Sequence, residues 1–172
     1  IAAAYEADPE AASAEYGGEW RMDLEAFISE EVLSRAVTPG VPERGYVSGT
    51  KYVAFVDPSG GSQDSFTIAI AHEDRARQLV VLDMVREAVP PFSPEGVVAT
   101  FAEEFKRYGV RQVVGDHYAG EWPREQFRKY GIEYKVSEQT KSELYLSALP
   151  MLTSGRVELL DSKRLLIQLR GL

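Results

Sequence analysis

Three apolar stretches that follow one another through short turns constrain the fold of this chain more than any other feature. They lie at residues 51–57, 66–72 and 78–85, and turn-forming residues separate them. Connections this short join antiparallel strands, because a parallel pair needs a crossover of a dozen residues or more. The sequence therefore predicts an antiparallel meander of three strands.

Helices and strands alternate in the rest of the chain. A strand that is reached through a helix is most simply parallel to an earlier strand. The predicted fold is therefore α/β, a mixed sheet in which parallel strands extend the meander, with helices on both faces. The predicted elements are a helix opened by Ser93-Pro94 and ended by Gly109, strand 110–116, helix 121–130, strand 132–136, helix 141–152, strand 155–161 and a helix from Leu165.

The first 45 residues differ from the others in charge and in pattern. They carry ten acidic and three basic residues, which supplies most of the net charge of -8. Asp23 is a candidate N-cap for a helix over residues 24–34, whose apolar residues share one side. The prolines of residues 38–42 then predict a short, stiff linker. We interpret residues 1–45 as a lead-in segment and residues 46–172 as one folded domain.

The composition excludes several kinds of location and site. The chain contains no run of about eighteen apolar residues, so a membrane span is not predicted. The N-terminus lacks the pattern of a secretory signal. The chain has no cysteine and only two histidines, His72 and His117. A zinc site is therefore not expected, and a metal ion would have to be held mainly by carboxylates.

Two acidic residues end strands that the predicted sheet can place side by side. Asp57 ends the first strand, before a glycine-rich turn, and Asp116 ends the fourth. Carboxylates on neighbouring strands offer the oxygen ligands that a hard divalent cation prefers. Turn formation is the alternative role for Asp57, and helix capping is the alternative for Asp116. The pair predicts part of a metal site at one edge of the sheet.

Three further aspartates have roles that the sequence leaves open. Asp64, after the double glycine, could reach a metal ion or only cap the turn. Asp161 is the one late acid that could serve as another ligand, but Asp-Ser before an apolar run is also a helix-capping signal. Asp83 lies among apolar residues of the third strand, and its side chain is predicted to face the polar side in a structural role.

The second half of the chain has a surplus of basic residues. From Lys106 onward there are twelve basic and eight acidic residues. A basic face would suit DNA, whose binding is dominated by phosphate neutralisation, although charges on amphipathic helices are usually only their solvated side. Candidate DNA contacts are Lys141 at a helix start, His117 beside Asp116, and Arg124 and Arg128 on the following helix.

Several segments together resemble a known family. They are 116–122 (Asp-His-Tyr-Ala-Gly-Glu-Trp), 130–132 (Tyr-Gly-Ile), 140–145 (Thr-Lys-Ser-Glu-Leu-Tyr) and 152–161, which ends in Leu-Leu-Asp. Their order and spacing resemble the nuclease domain of the large terminase subunit of tailed bacteriophages, which has a ribonuclease-H-like fold. Segment 15–29 is similar to the stretch that joins the ATPase domain of that family to its nuclease domain.

The resemblance implies a metal-dependent endonuclease that cuts concatemeric double-stranded viral DNA during packaging. It implies that Asp57 and Asp116 are the catalytic, metal-binding acids of a two-ion Mg²⁺ or Mn²⁺ site, with a third acid on a terminal helix. Two such ions supply an activated water and a counter-charge for the leaving alkoxide. The chain ends at Leu172, before that third acid, and contains no phosphate-binding loop. We therefore expect that the C-terminal part of the nuclease domain and the ATPase domain are absent.

The resemblance also implies partners and a location. The expected partners are double-stranded DNA, the portal protein, the small terminase subunit and the ATPase domain of the same polypeptide, in the host cell cytoplasm and without a membrane. Two alternatives stay open, because a fold does not fix a function. One is a non-catalytic ribonuclease-H-like module that holds DNA or docks on the portal. The other is a resolvase or transposase type of nuclease.

Overall fold

The structure of the chain, a computed structural model, describes residues 27–116 and 121–171. Within these ranges the chain forms seven strands and five helices. In chain order they are α1 Glu30–Ala36, β1 Val37–Thr38, β2 Tyr52–Asp57, β3 Phe66–Asp74, β4 Leu79–Ala88, α2 Pro94–Arg107, β5 Gln112–Gly115, α3 Glu121–Lys129, β6 Glu133–Val136, α4 Lys141–Thr153, β7 Val157–Leu160 and α5 Lys163–Arg170.

The seven strands form one sheet in the order β1-β7-β4-β3-β2-β5-β6. Strands β2, β3 and β4 pair in the antiparallel sense, which confirms the predicted meander. Strands β5 and β6 extend it in parallel on one side, and β7 and β1 extend it in parallel on the other. Among the described strands only β3 runs against the others, so the carboxyl ends of the remaining six meet at one edge.

Helices cover both faces of this sheet, as predicted. Helices α2 and α3 pack on one face, where Phe105 and Phe127 are fully buried against β2 and β3. Helices α1, α4 and α5 contribute to a second apolar cluster around Leu33, Leu152 and Leu159. Removal of this apolar surface from water is the main favourable contribution to folding. The sheet is therefore the middle layer between two helical layers.

Helix α2 begins and ends where the sequence predicts. The Ser93 hydroxyl accepts a hydrogen bond from the Gly96 N–H, and Pro94 occupies the first turn, where its missing N–H costs nothing. After the last turn the chain reverses through Gly109 at a φ of 68°, a conformation that glycine adopts without strain.

The predicted lead-in segment differs from expectation in its details. Residues 27–29 are not helical, and α1 begins at Glu30 with Ser29 as its N-cap, since the Ser29 hydroxyl accepts from the Val32 N–H. Asp23 lies outside the described residues. Strand β1, which pairs with β7, was not predicted because two residues are too short to show a pattern. The segment thus adds an edge strand to the sheet, and a domain boundary after residue 45 stays a prediction.

The prediction that Asp83 faces a polar side is wrong. Its side chain is 1% exposed, and its carboxylate lies 2.7 Å from Nδ1 of His72. The cause is a β-bulge, because Met84 pairs with Ile70 and Leu82 pairs with Ala71, which leaves Asp83 without a partner on β3. An extra residue interrupts the strict alternation of side chains, so Asp83 turns inward.

Candidate active site

Asp57 ends β2, and Asp116 directly follows β5, the parallel neighbour of β2. Phe55 pairs with Val114, and Val56 pairs with Gly115, so the register brings the next two residues, Asp57 and Asp116, to the same level. The Asp116 N–H also donates a hydrogen bond of 3.3 Å to the Val56 carbonyl. The structure therefore brings the two acids together at the carboxyl edge of the sheet, as the strand order predicted.

The two acids line one cleft of about 310 Å³ at this edge. The cleft lies between the sheet and the start of α4, on the face that carries Phe55. Its polar lining comes from strands β2 and β3, from the end of β5, from the connection between β6 and α4, and from the start of α4. The residues that supply it are Asp57, Thr67, Asp116, Ser137, Gln139, Lys141 and Tyr145.

The charges in the cleft favour a cation. The pKa of Asp57 is raised, first by desolvation among the surrounding groups, then by the negative charge of Asp116 and by that of Asp64, while Lys141 acts in the opposite direction. The negative charge of a neighbouring carboxylate disfavours the ionised form of Asp57, and a bound cation would relieve this repulsion.

Lys141, the first residue of α4, also lines the cleft. Thr140 caps this helix, and its N–H donates to the Glu143 carboxylate, which completes a capping box. The helix therefore begins at a defined point, with its positive end at the cleft. The Lys141 Nζ lies 5.9 Å from the centre of the Tyr145 ring. A cationic group thus lines the same cleft as the pair of acids, and its charge acts on Asp57.

Tyr134 was missed in the sequence although it contacts the main chain of Asp116. Its hydroxyl donates a hydrogen bond of 3.3 Å to the Asp116 carbonyl. Burial, together with the charges of Asp116 and Asp57, raises the pKa of Tyr134 to about 12. The ring occupies the space beside Gly115, where any side chain would overlap the phenol. A glycine immediately before a strand-end acid is the sequence signal that could have indicated this close approach.

Of the two other acids that were candidate ligands, Asp64 lies near the site and Asp161 lies elsewhere in the sheet. Asp64 lies in the loop after β2 and is close enough for its charge to act on Asp57. Asp161 follows β7, which is three strands away from β2 in the sheet order, or about 14 Å at the usual strand spacing. Its carboxylate accepts a hydrogen bond from the Gly40 N–H. The N-cap of α5 is Ser162, so the predicted capping role of Asp161 is wrong.

The predicted DNA contacts are distributed over two places. Lys141 lines the cleft, whereas Arg124 and Arg128 lie on α3 and line a separate depression together with Tyr134. Arg124 forms an ion pair with Glu121 at 2.7 Å. His117 lies outside the described residues.

The carboxylates of the cleft are of the kind that a hard divalent cation prefers. Two carboxylates from β2 and β5 face one cleft, with the charge of Asp64 nearby. Mg²⁺ is bound through one or two carboxylates and keeps several waters, so this donor set fits it. Within residues 27–116 and 121–171, however, no three or more acidic or histidine side chains converge as a ligand group.

The described helices give no indication of a membrane span, since none of them combines the length and the apolar character that a crossing requires.

No protein-family profile matches this chain, and no curated protein matches it. Solved structures do match it. The large terminase nuclease from thermophilic phage G20c superimposes with a TM-score of 0.70 at 19% identity, over 86% of this chain and 81% of that one. The same nuclease with bound magnesium gives 0.69 at 18% identity, over 86% and 80%.

The nuclease domain of a second phage protein has a similar backbone. The large terminase nuclease domain of Thermus phage P74-26 superimposes with a TM-score of 0.65 at 18% identity, over 85% of this chain and 77% of that one. Forms of the G20c nuclease with bound zinc and with bound cobalt match as well. The sequence resemblance is thereby confirmed at the level of the backbone. This chain has the ribonuclease-H-like fold of the nuclease domains of phage large terminases.

Proposed function

We propose that this chain is the metal-dependent endonuclease domain of a viral DNA-packaging terminase, which cuts concatemeric double-stranded DNA. One observation carries the proposal: Asp57 and Asp116 end adjacent parallel strands and share one cleft with Lys141. The likeness to terminase nucleases supports it, since one of these nucleases has been observed with bound magnesium.

The proposed mechanism assigns a role to each group in the cleft. Asp57 and Asp116 would hold Mg²⁺ or Mn²⁺, two ions in all, with Asp64 as a further candidate ligand. Bound ions would supply an activated water and stabilise the negative charge that develops on phosphate and leaving oxygen. Lys141, at the positive end of α4, would hold the phosphate of the substrate strand in the cleft.

Contacts outside the cleft would hold the rest of the duplex. Arg124 and Arg128 lie together on α3, beside β6, and could bind phosphates of the DNA backbone. His117, next to Asp116 in the sequence, is a further candidate for contact with the cleaved phosphate. In the full assembly we propose that the domain works in the host cytoplasm with the ATPase domain of its own polypeptide, the small terminase subunit and the portal protein.

Cleavage of supercoiled plasmid DNA tests the proposal directly. The wild-type chain with Mn²⁺ is expected to nick the plasmid, and EDTA is expected to stop the reaction. Asp57→Ala and Asp116→Ala are each expected to reduce the rate by at least about 10²-fold, the order observed when one electrostatic stabiliser of a transition state is removed.

Asp161→Asn is the matched control for these variants. It changes an aspartate at the same edge of the sheet, but on β7 and with Gly40 as its partner. Its nicking rate is expected to equal that of the wild type. If the wild type, Asp57→Ala and Asp116→Ala all nick at the same rate, the catalytic assignment is wrong and the activity comes from a contaminant.

A non-catalytic DNA-binding or portal-docking module is the second candidate. The observation that favours it is the absence, within the described ranges, of a ligand group of three or more acids or histidines. It predicts that the wild-type chain does not nick DNA with either Mg²⁺ or Mn²⁺ but still retards a DNA duplex in a gel. Replacement of Lys141 by alanine would then weaken retardation, while Asp57→Ala would not.

A further inference from the structure

Tyr134 belongs to the face of the sheet opposite to the cleft. It pairs with Val113 in the register of β5 and β6, and both side chains are buried in the core beneath α2 and α3. The Phe127 ring of α3 stacks on the Tyr134 ring, with centroids 6.1 Å apart and planes inclined by 19°. The tyrosine is 7% exposed. Its ring is therefore fixed by packing, and it cannot swing into the cleft.

The position of Gly115 lets the phenol reach beyond its own strand pair. The side chains of strand residues lean along the strand, so a long ring at position 134 extends over the neighbouring residues of β5 toward its carboxyl end. Gly115 has no side chain in this path, and a Cβ there would overlap the Tyr134 hydroxyl. With the path open, the hydroxyl donates to the Asp116 carbonyl at 3.3 Å.

The main chain of Asp116 is thereby held at both of its peptide groups. Its N–H donates to the carbonyl of Val56, the residue before Asp57, at 3.3 Å. Its carbonyl accepts from Tyr134. The preceding carbonyl, that of Gly115, accepts from the Ser137 N–H at 2.8 Å. These three bonds tie the end of β5 to β2 on one side and to β6 on the other.

We infer that Tyr134 is a positioning residue for the acid pair. Its ring is held by packing against Phe127, and the absence of a side chain at Gly115 lets its hydroxyl reach the Asp116 carbonyl. The hydroxyl thereby fixes the main chain of Asp116 and sets the direction of the Asp116 carboxylate toward Asp57. This inference rests on the proposed function, because it concerns the cation that the two acids would hold. Partners that orient a metal ligand in this way typically contribute 10- to 100-fold to metal affinity.

Tyr134→Phe tests the inference, because it keeps the ring against Phe127 and removes only the hydroxyl. The dissociation constant for Mn²⁺, measured by calorimetric titration of the metal-free protein, is expected to rise by about 10-fold or more. The melting temperature of the metal-free variant is expected to stay close to that of the wild type, because the packing is unchanged. A purely structural tyrosine would show the reverse: an altered melting temperature and an unaltered Mn²⁺ affinity.

Tyr108→Phe is the matched control. Tyr108 is also buried, and its hydroxyl also donates to a main-chain carbonyl, that of Arg44, away from the cleft. Its Mn²⁺ affinity should equal that of the wild type. Equal affinity of the wild type and Tyr134→Phe overturns the positioning role and leaves the nuclease proposal intact. Absence of Mn²⁺ binding by the wild type itself overturns both.

Discussion

Asp57→Asn is expected to raise the melting temperature of the metal-free protein and to abolish the further rise that Mn²⁺ gives to the wild type. The pKa of Asp57 is raised by desolvation and by Asp116, so its ionised form is less favourable in the folded chain than in the unfolded one. At neutral pH the carboxylate therefore destabilises the fold, and a neutral amide of the same shape removes that cost. The same amide lacks the charge that attracts a cation.

The expected rise in the melting temperature of the wild type with Mn²⁺ can be calculated. A ligand present at one hundred times its dissociation constant stabilises the folded state by about 2.7 kcal/mol. For a domain of this length that corresponds to a rise of about 5–10 °C. Scanning calorimetry or dye-monitored melting with increasing Mn²⁺ measures it, with EDTA as the reference condition.

Asp161→Asn again provides the comparison, since it removes one negative charge from the chain without touching the cleft. It is expected to keep the full Mn²⁺-dependent rise. A variant Asp57→Asn that still responds to Mn²⁺ as the wild type does would show that the ion binds elsewhere. The acid pair would then lose its role as a metal site.

His72→Ala is expected to destabilise the fold by roughly 3 kcal/mol, because it leaves the Asp83 carboxylate buried without its partner. Asp83 is 1% exposed, and burial raises its pKa, while its bond to His72 acts to lower it. Removal of the imidazole removes the hydrogen bond that favours the Asp83 carboxylate and leaves the cost of burying that carboxylate away from water. Unfolding in urea, followed by circular dichroism, measures the difference in free energy.

The double variant His72→Ala with Asp83→Leu distinguishes two causes of the lost stability: the unpaired Asp83 carboxylate and the missing packing of the His72 ring. Replacement of both members of a buried polar pair by apolar groups is often neutral, so the double variant is expected to recover much of the stability that His72→Ala loses. If the double variant is no more stable than His72→Ala, the cost comes from packing of the imidazole and not from the unpaired carboxylate.

The adjacency of the two acids was predictable because it follows from chain connectivity. Short turns make β2 to β4 a meander, and the long helix α2 carries the chain back so that β5 can pair in parallel with an earlier strand. Both acids are the final residues of their strands, or follow them directly, and parallel strands end at one edge. Only the turns, the helix caps and the apolar stretches were needed for this result, and all of them are local in the sequence.

The features that escaped prediction depend on contacts between distant residues. Asp83 turns inward because β4 has one residue more than β3 at the bulge, a mismatch that becomes visible only when the two strands are paired. Tyr134 reaches Asp116 because β6 lies next to β5 and Gly115 leaves room. The pattern around Tyr134 correctly indicates a strand, but the partner of its hydroxyl is set by the register of another strand.

The position of β1 at the end of the sheet has a consequence for solubility. Any strand at a sheet boundary offers unpaired amide and carbonyl groups to a second molecule, and this template grows with the length of the strand. Residues 37 and 38 pair with residues 159 and 160 of β7 and form an edge strand of only two residues, followed at once by Pro39, which has no N–H to donate. This short edge strand thus shields residues 159 and 160 of β7 against pairing with another copy of the chain.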